Sequence, residues 1–157
     1  MPLNRTWIAQ NIPHHGRMCL LDEVIEWDAQ HIRCRSTTHR LPDHPLRSHD
    51  RLGVCCGIEY AAQAMAVHGA LAAGAANARR PEAGFLAAVR DVRLHVLRLD
   101  DIQSDLICEA ALVAGDPGSA LYEFELRSDL QRLVTGRATA VYDATTCLGI
   151  PRGLSHE

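Results

Sequence analysis

The run Leu52 to Ala76, LGVCCGIEYAAQAMAVHGALAAGAA, constrains this chain more than any other stretch. It holds no proline and is dominated by alanine, with Val54, Ile58, Met65, Val67 and Leu71 interspersed, so it predicts one long helix of about 35 Å. Its apolar residues do not keep to one stripe. A helix that is apolar nearly all round is buried on most sides, and an alanine-rich surface suits close approach to a sheet. Against that background the polar exceptions stand out. Glu59 and Gln63, four positions apart, share a face in the first turns, where backbone N–H groups lack intrahelical partners and the dipole is positive. Glu59 is therefore a candidate for chemistry, although simple complementation of the dipole at a solvated helix start accounts for the same position.

The rest of the chain supplies strands to cover such a helix. Thr6 to Asn11 reads as one or two helical turns ending before Pro13. After the break at Gly16, Met18 to Trp27 reads as a strand, and the alternating run HIRCRSTT as a second, the two forming a hairpin. A polar loop with His39, His44 and His49, Pro42 and Pro45 leads to the helix. Beyond the loop NARRPEA, GFLAAV is apolar at every position, as expected of a strand covered on both faces. RDVRLHVLR then alternates, with Val92, Leu94 and Val96 on one side. Ser104 to Ala114, Ala120 to Arg127 and Arg132 to Tyr142 read as three more strands, separated by turns at GDPG and near Asp129. Six strands and one buried helix fit only if a mainly antiparallel sheet curls around the helix, an α+β arrangement.

At 157 residues, 47% hydrophobic and 22% charged, the chain is expected to form a single domain over 1–157, with its core at about 8–142 and a loose tail over 143–157. A net charge of -3 argues against nucleic acid. No run reaches about eighteen uninterrupted apolar residues without charge, so the protein is expected in the cytoplasm. Cys19, Cys34, Cys55, Cys56, Cys108 and Cys147 have no CxxC spacing and read as free thiols, several of them buried.

Three stretches, IPHHGRMCLLDEV, GIEYAAQAM and GFLAAVRDVRL, together with the element order, resemble the hot-dog fold and, within it, the β-hydroxyacyl-(acyl carrier protein) dehydratases of the FabA/FabZ type. The Pro-His-His-Gly form is similar to a divergent branch associated with aryl-polyene synthesis. The resemblance implies removal of water from a 3-hydroxyacyl thioester. That reaction needs a base for the α-proton, an acid for the departing hydroxyl, and donors for the thioester oxygen.

On that reading Glu59 is the acid. Its apolar neighbours Ile58, Ala61 and Ala62 are expected to raise its pKa so that it carries its proton. Backbone amides around Gly53 to Gly57 are the expected oxyanion donors, and Gln63 is expected to bind substrate. The base is a histidine of the preceding loop. His44, followed by Pro45 and nine positions before Gly53, fits best, and His49 competes; the family's phenylalanine and most of its prolines are missing from HPLRSHDRLG. His14 and His15 are placed to line the mouth of the acyl channel or, more simply, to form a polar turn before a strand, and the resemblance assigns them no catalytic task. A Cys55 or Cys56 nucleophile is conceivable at the helix start, whereas a metal site from His44, His49 and a cysteine lacks ligand spacing.

The resemblance further implies an acyl carrier protein as partner, whose phosphopantetheine carries the substrate, with no other cofactor. Arg79, Arg80, Arg90, Arg93 and Arg98 are candidates to contact it. A dimer joined at the strand after the helix is also implied, as a homodimer or as a heterodimer with another hot-dog subunit, and GFLAAV suits such a contact. Two other readings stay open: a thioesterase using the same carboxylate, and a non-catalytic subunit that pairs with an active dehydratase.

Overall fold

The computed structural model describes residues 2–77 and 84–142. In chain order it comprises a short helix α1 (Arg5–Asn11), strands β1 (Glu23–Trp27) and β2 (His31–Ser36), the long helix α2 (Gly57–Ala75), and strands β3 (Phe85–Leu94), β4 (Leu106–Gly115), β5 (Ser119–Ser128) and β6 (Gln131–Val141). The strands form one sheet of order β1-β2-β4-β5-β6-β3 with every pairing antiparallel. This is the hot-dog arrangement anticipated from the sequence, with α2 packed on β2, β4, β5 and β6. Arg79 and Arg80, most of the NARRPEA loop, and the 143–157 tail with Cys147 lie outside the described residues.

Helix α2 has apolar residues on most of its circumference because it is buried on most of it. Tyr60, Ala61, Ala64, Met65 and Val67 are closed off from solvent, against Ile32, Cys34, Leu106, Cys108 and Leu126 of the sheet and Leu20 and Leu21 of the N-terminal segment. Each large side chain so enclosed contributes about 1.5–3 kcal/mol. Gly57 makes the approach possible: a β-carbon there would lie 2.8 Å from a Leu126 methyl and 3.0 Å from one of Val134. Among the described residues no helix is long and apolar enough to cross a membrane.

Two element boundaries differ from expectation, each because other bonds take over. The α-helix begins at Gly57 rather than Leu52, after a single 3-10 turn at Val54–Cys56. Leu52 and Gly53 are kept out of the helix by a short bridge to the segment around Arg98: the Leu52 carbonyl accepts the Leu99 N–H (2.8 Å), and the Val54 N–H donates to the Leu97 carbonyl (3.2 Å). Similarly β1 begins at Glu23, not Met18. Gly16–Met18 forms a 3-10 turn, and the buried Leu20 is held by side chains instead of a strand partner. Its N–H donates to Gln63 Oε1 (2.8 Å), and its carbonyl accepts from the hydroxyls of Ser36 (2.5 Å) and Thr38 (2.9 Å).

Strand β3 is the sheet's outer edge, paired on one side to β6. A bulge between Arg90 and Arg93, with Asp91 at φ 54°, resets its alternation, so Val92 turns inward while Leu94 is exposed. Within one chain the expected double cover of GFLAAV is absent, since Ala87 is exposed.

Candidate active site

The start of α2 is a fixed platform. Leu52 N–H donates to Asp100 Oδ1 (2.9 Å), and the Arg98 guanidinium grips both oxygens of Asp100, with Nε to Oδ1 at 2.9 Å. That grip holds the Asp100 carboxyl well below the usual carboxylate range.

Glu59 sits half-buried in the first turn of this helix. His14 Nε2 lies 2.9 Å from its Oε1, and Gln63 Nε2 donates to the same oxygen at 3.2 Å. The orientation of Gln63 is forced, because its Oε1 accepts the Leu20 N–H and its Nε2 also donates to the Met18 carbonyl (2.7 Å). Its amide thus pins the N-terminal segment to the helix and lies fully buried, a task different from the substrate contact anticipated for it. Among the described residues nothing holds Glu59 Oε2.

Burial pushes the Glu59 carboxyl upward, but the hydrogen bonds from His14 and Gln63 and the charge interaction with His14 more than offset it, and the pKa is lowered. The expected upward shift is reversed in direction because that expectation counted only the apolar neighbours along the helix, whereas His14 arrives from elsewhere in the chain.

The structure does not bring the loop histidines to Glu59 within the chain. His44 is buried, with both ring nitrogens in use: Nδ1 accepts the Leu46 N–H (3.1 Å), so Nε2 carries the proton and donates to Tyr60 Oη (3.0 Å). Tyr60 Oη in turn donates a hydrogen bond to Thr38 Oγ1 (2.7 Å), which donates to the Leu20 carbonyl. Burial lowers the His44 pKa, with the Arg47 charge adding to it. His49 is exposed on a turn at φ 51°, next to Ser48 Oγ (3.0 Å).

Of the two glycines read as oxyanion donors, Gly57 is buried and its N–H turns back to the carbonyls of Val54 and Cys55. Gly53 is exposed, with open space where a β-carbon would stand. Burial raises the Cys56 thiol, which works against a thiolate there. Among the described residues no three His, Cys, Asp or Glu side chains are grouped as metal ligands would be.

Sequence reasoning gave no catalytic task to His14, which stands 45 positions before Glu59. No periodicity joins two such positions. The available signal was Gly16, whose φ of 58° turns the segment, between apolar anchors at Ile12 and at Cys19 to Leu21 that press it onto the helix.

A curled antiparallel sheet around one buried helix, with a carboxylate in that helix's first turn, defines a hot-dog protein of the kind found among dehydratases and thioesterases. The family model for ApeP-like proteins, described as ApeP dehydratase, matches residues 6–147, and the chain belongs to that family. The dehydratase heterocomplex ApeI:P from Xenorhabdus doucetiae matches over 94% of this chain and 95% of that one, at 26% identity and a TM-score of 0.77. The E. coli PaaI protein from a phenylacetic acid degradation operon matches at 13% identity, covering 87% and 88% of the two chains, with a TM-score of 0.58. A mutant thioesterase, PA1618, from Pseudomonas aeruginosa matches at 10% identity, covering 76% and 78%, with a TM-score of 0.53. These last two share the fold alone. No curated protein matches the chain by sequence.

Proposed function

We propose that this chain is a cytoplasmic dehydratase subunit that removes water from 3-hydroxyacyl thioesters carried on the phosphopantetheine of an acyl carrier protein, in aryl-polyene or fatty-acid synthesis. The observation that carries this reading is Glu59: a carboxylate at the start of a buried helix, held among the described residues through Oε1 alone. Dehydration needs a group of this kind beside Cα and the β-hydroxyl, with amide donors for the thioester oxygen. Of the two glycines expected to donate, Gly53 is the exposed one. No metal or further cofactor enters the reaction.

The subunit works in a dimer, with a second copy or with another hot-dog protein. Supporting this, β3 is an edge strand of the sheet among the described residues, and Leu94, Leu97 (90% exposed) and Leu130 (100% exposed) leave large apolar side chains in solvent. The dehydratase match in Xenorhabdus is itself a heterocomplex. For the acyl carrier protein, Arg90 and Arg93 are exposed on β3. Arg98 is engaged by Asp100, and Arg137, opposite Arg90 on β6, by Glu123 (2.9 Å).

One observation favours a second reading. His44, tied at both nitrogens, leaves the proposed base with no free ring atom, which suits a non-catalytic subunit that supports an active partner. Mass spectrometry of a 3-hydroxyacyl carrier protein incubated with the chain, alone and with its dimer partner, separates the cases. Loss of water that disappears with Glu59→Gln in this chain is the expected result. Release of free acid would make it a thioesterase, and water loss indifferent to Glu59→Gln would make it a supporting subunit.

A further inference from the structure

The geometry points to His14 as the residue that orients Glu59 and keeps it in its basic form, so that Glu59 itself, rather than a loop histidine, takes the α-proton. The inference rests on the dehydratase reading and assigns its base. Both members of the pair lie on one chain.

Three structural facts carry it. His14 is held in place, not merely nearby: Ile12 is buried on one side of it, and on the other Gln63 ties down Met18 and Leu20. The pair then meets at 2.9 Å. Second, His14 Nδ1 is enclosed and has no hydrogen-bond partner among the described residues. Nε2 is therefore the ring nitrogen in use, and it donates to Glu59 Oε1, a contact that an ionised carboxylate accepts best. Third, His14 and Gln63 both engage Oε1, so that among the described residues Oε2 is left as the carboxylate atom available to a substrate.

The arrangement resembles, in logic, a carboxylate–imidazole pair with the roles exchanged: the ring steadies the carboxylate, and the carboxylate does the proton transfer. Oε2 accepts the proton from Cα, the Cα–Cβ double bond forms as the Cβ–O bond breaks, and the carboxyl gives a proton to the departing hydroxyl. Enoyl thioester and water leave, and Glu59 returns to its ionised state. His14 is a positioning residue throughout. Its hydrogen bond and charge, with the Gln63 bond from the helix's own next turn, are the influences that lower the Glu59 pKa against its burial, and among the described residues no other charged group bears on it.

The test is the pH dependence of dehydration by wild type, His14→Ala and His14→Gln, paired with carbon NMR titration of the Glu59 carboxyl in the same proteins. The rate of wild type is expected to fall only at pH values below the usual carboxylate range. In His14→Ala that acid limb and the NMR midpoint should move up together, by about one pH unit, with a fall in kcat larger than any change in KM. His14→Gln, which retains an N–H donor, should move both part of the way back. An unmoved carboxyl midpoint in His14→Ala overturns the inference, as does turnover that survives His14→Ala with an unshifted limb and is abolished by His44→Ala. Because the NMR arm needs no turnover, a chain that fails to dehydrate would sink the dehydratase reading while still deciding whether His14 governs Glu59.

Discussion

Gln63→Met should destabilise the fold by about 2–4 kcal/mol, and the size follows from what the amide holds. Methionine is close to glutamine in length and volume, so the substitution opens no cavity. It does remove both partners of the N-terminal segment. The Leu20 N–H, 2.8 Å from Gln63 Oε1, is buried and left without an acceptor, at about 1–3 kcal/mol; the Met18 carbonyl, 2.7 Å from Nε2, lies half-buried and loses roughly half as much. For a domain of this size about 3 kcal/mol corresponds to a fall in Tm of about 10 °C. Urea titration followed by circular dichroism, at one protein concentration for both forms, is the assay, and the midpoint should drop with little change in slope. A variant within about 0.5 kcal/mol of wild type would refute the reasoning, because it would mean that water or a rearranged segment satisfies Leu20 and Met18 without the amide. His14 would then have lost the anchor on which its approach to Glu59 depends.

Two other predictions concern the platform and the core. Arg98 depresses the Asp100 carboxyl pKa below its unfolded value, so its contribution to stability is complete above the ordinary carboxylate range of about 3.9 and is lost as pH falls through the folded value. Asp100→Asn should therefore be less stable than wild type at neutral pH, with the gap narrowing on acidification; parallel stability curves from pH 7 to pH 3 would contradict this. Cys34 and Cys108 face each other across β2 and β4, both buried, with burial pushing the Cys34 thiol up to about 12 and Cys108 well above its ordinary value. Iodoacetamide on the folded protein should label the exposed Cys55 and spare both, as read by peptide mass mapping, and labelling of Cys34 or Cys108 at the Cys55 rate would refute their burial.

What could be read from the sequence and what could not divides along the distance over which the responsible forces act. The strands and the long helix are written in local alternation and alanine content, and their order restricted the fold to a sheet curled on one helix. The boundaries at Leu52 and Met18 slipped because they are set by long-range bonds, Leu52 to Leu99 and Leu20 to Gln63, which local pattern does not encode. Glu59 stood out by its chemistry against an apolar background. His14 did not, and neither did the capture of His44 by Tyr60, since each pairing exists only after the N-terminal segment and the histidine loop fold onto α2.

The polar side chains of α2 show why Glu59 is singled out. Tyr60 is bonded to Thr38 and His44, Gln63 to Leu20, Met18 and Glu59, and His68 to Tyr122 Oη through Nδ1 (2.7 Å) and to the Asp28 carbonyl through Nε2 (2.9 Å). Each spends its bonding capacity inside the protein, as burial demands, because an unmatched polar atom among these alanines would destabilise the helix that carries it. His68 shows how complete this is: accepting from Tyr122 and donating to Asp28, it is a titratable residue with neither nitrogen to spare. Glu59 shares the helix and much of the burial, yet keeps one oxygen unheld among the described residues. A structural role alone would be served by the bonds to His14 and Gln63 through Oε1. The free Oε2 is the feature that structure does not require, and so it is where chemistry on a bound thioester is best sought.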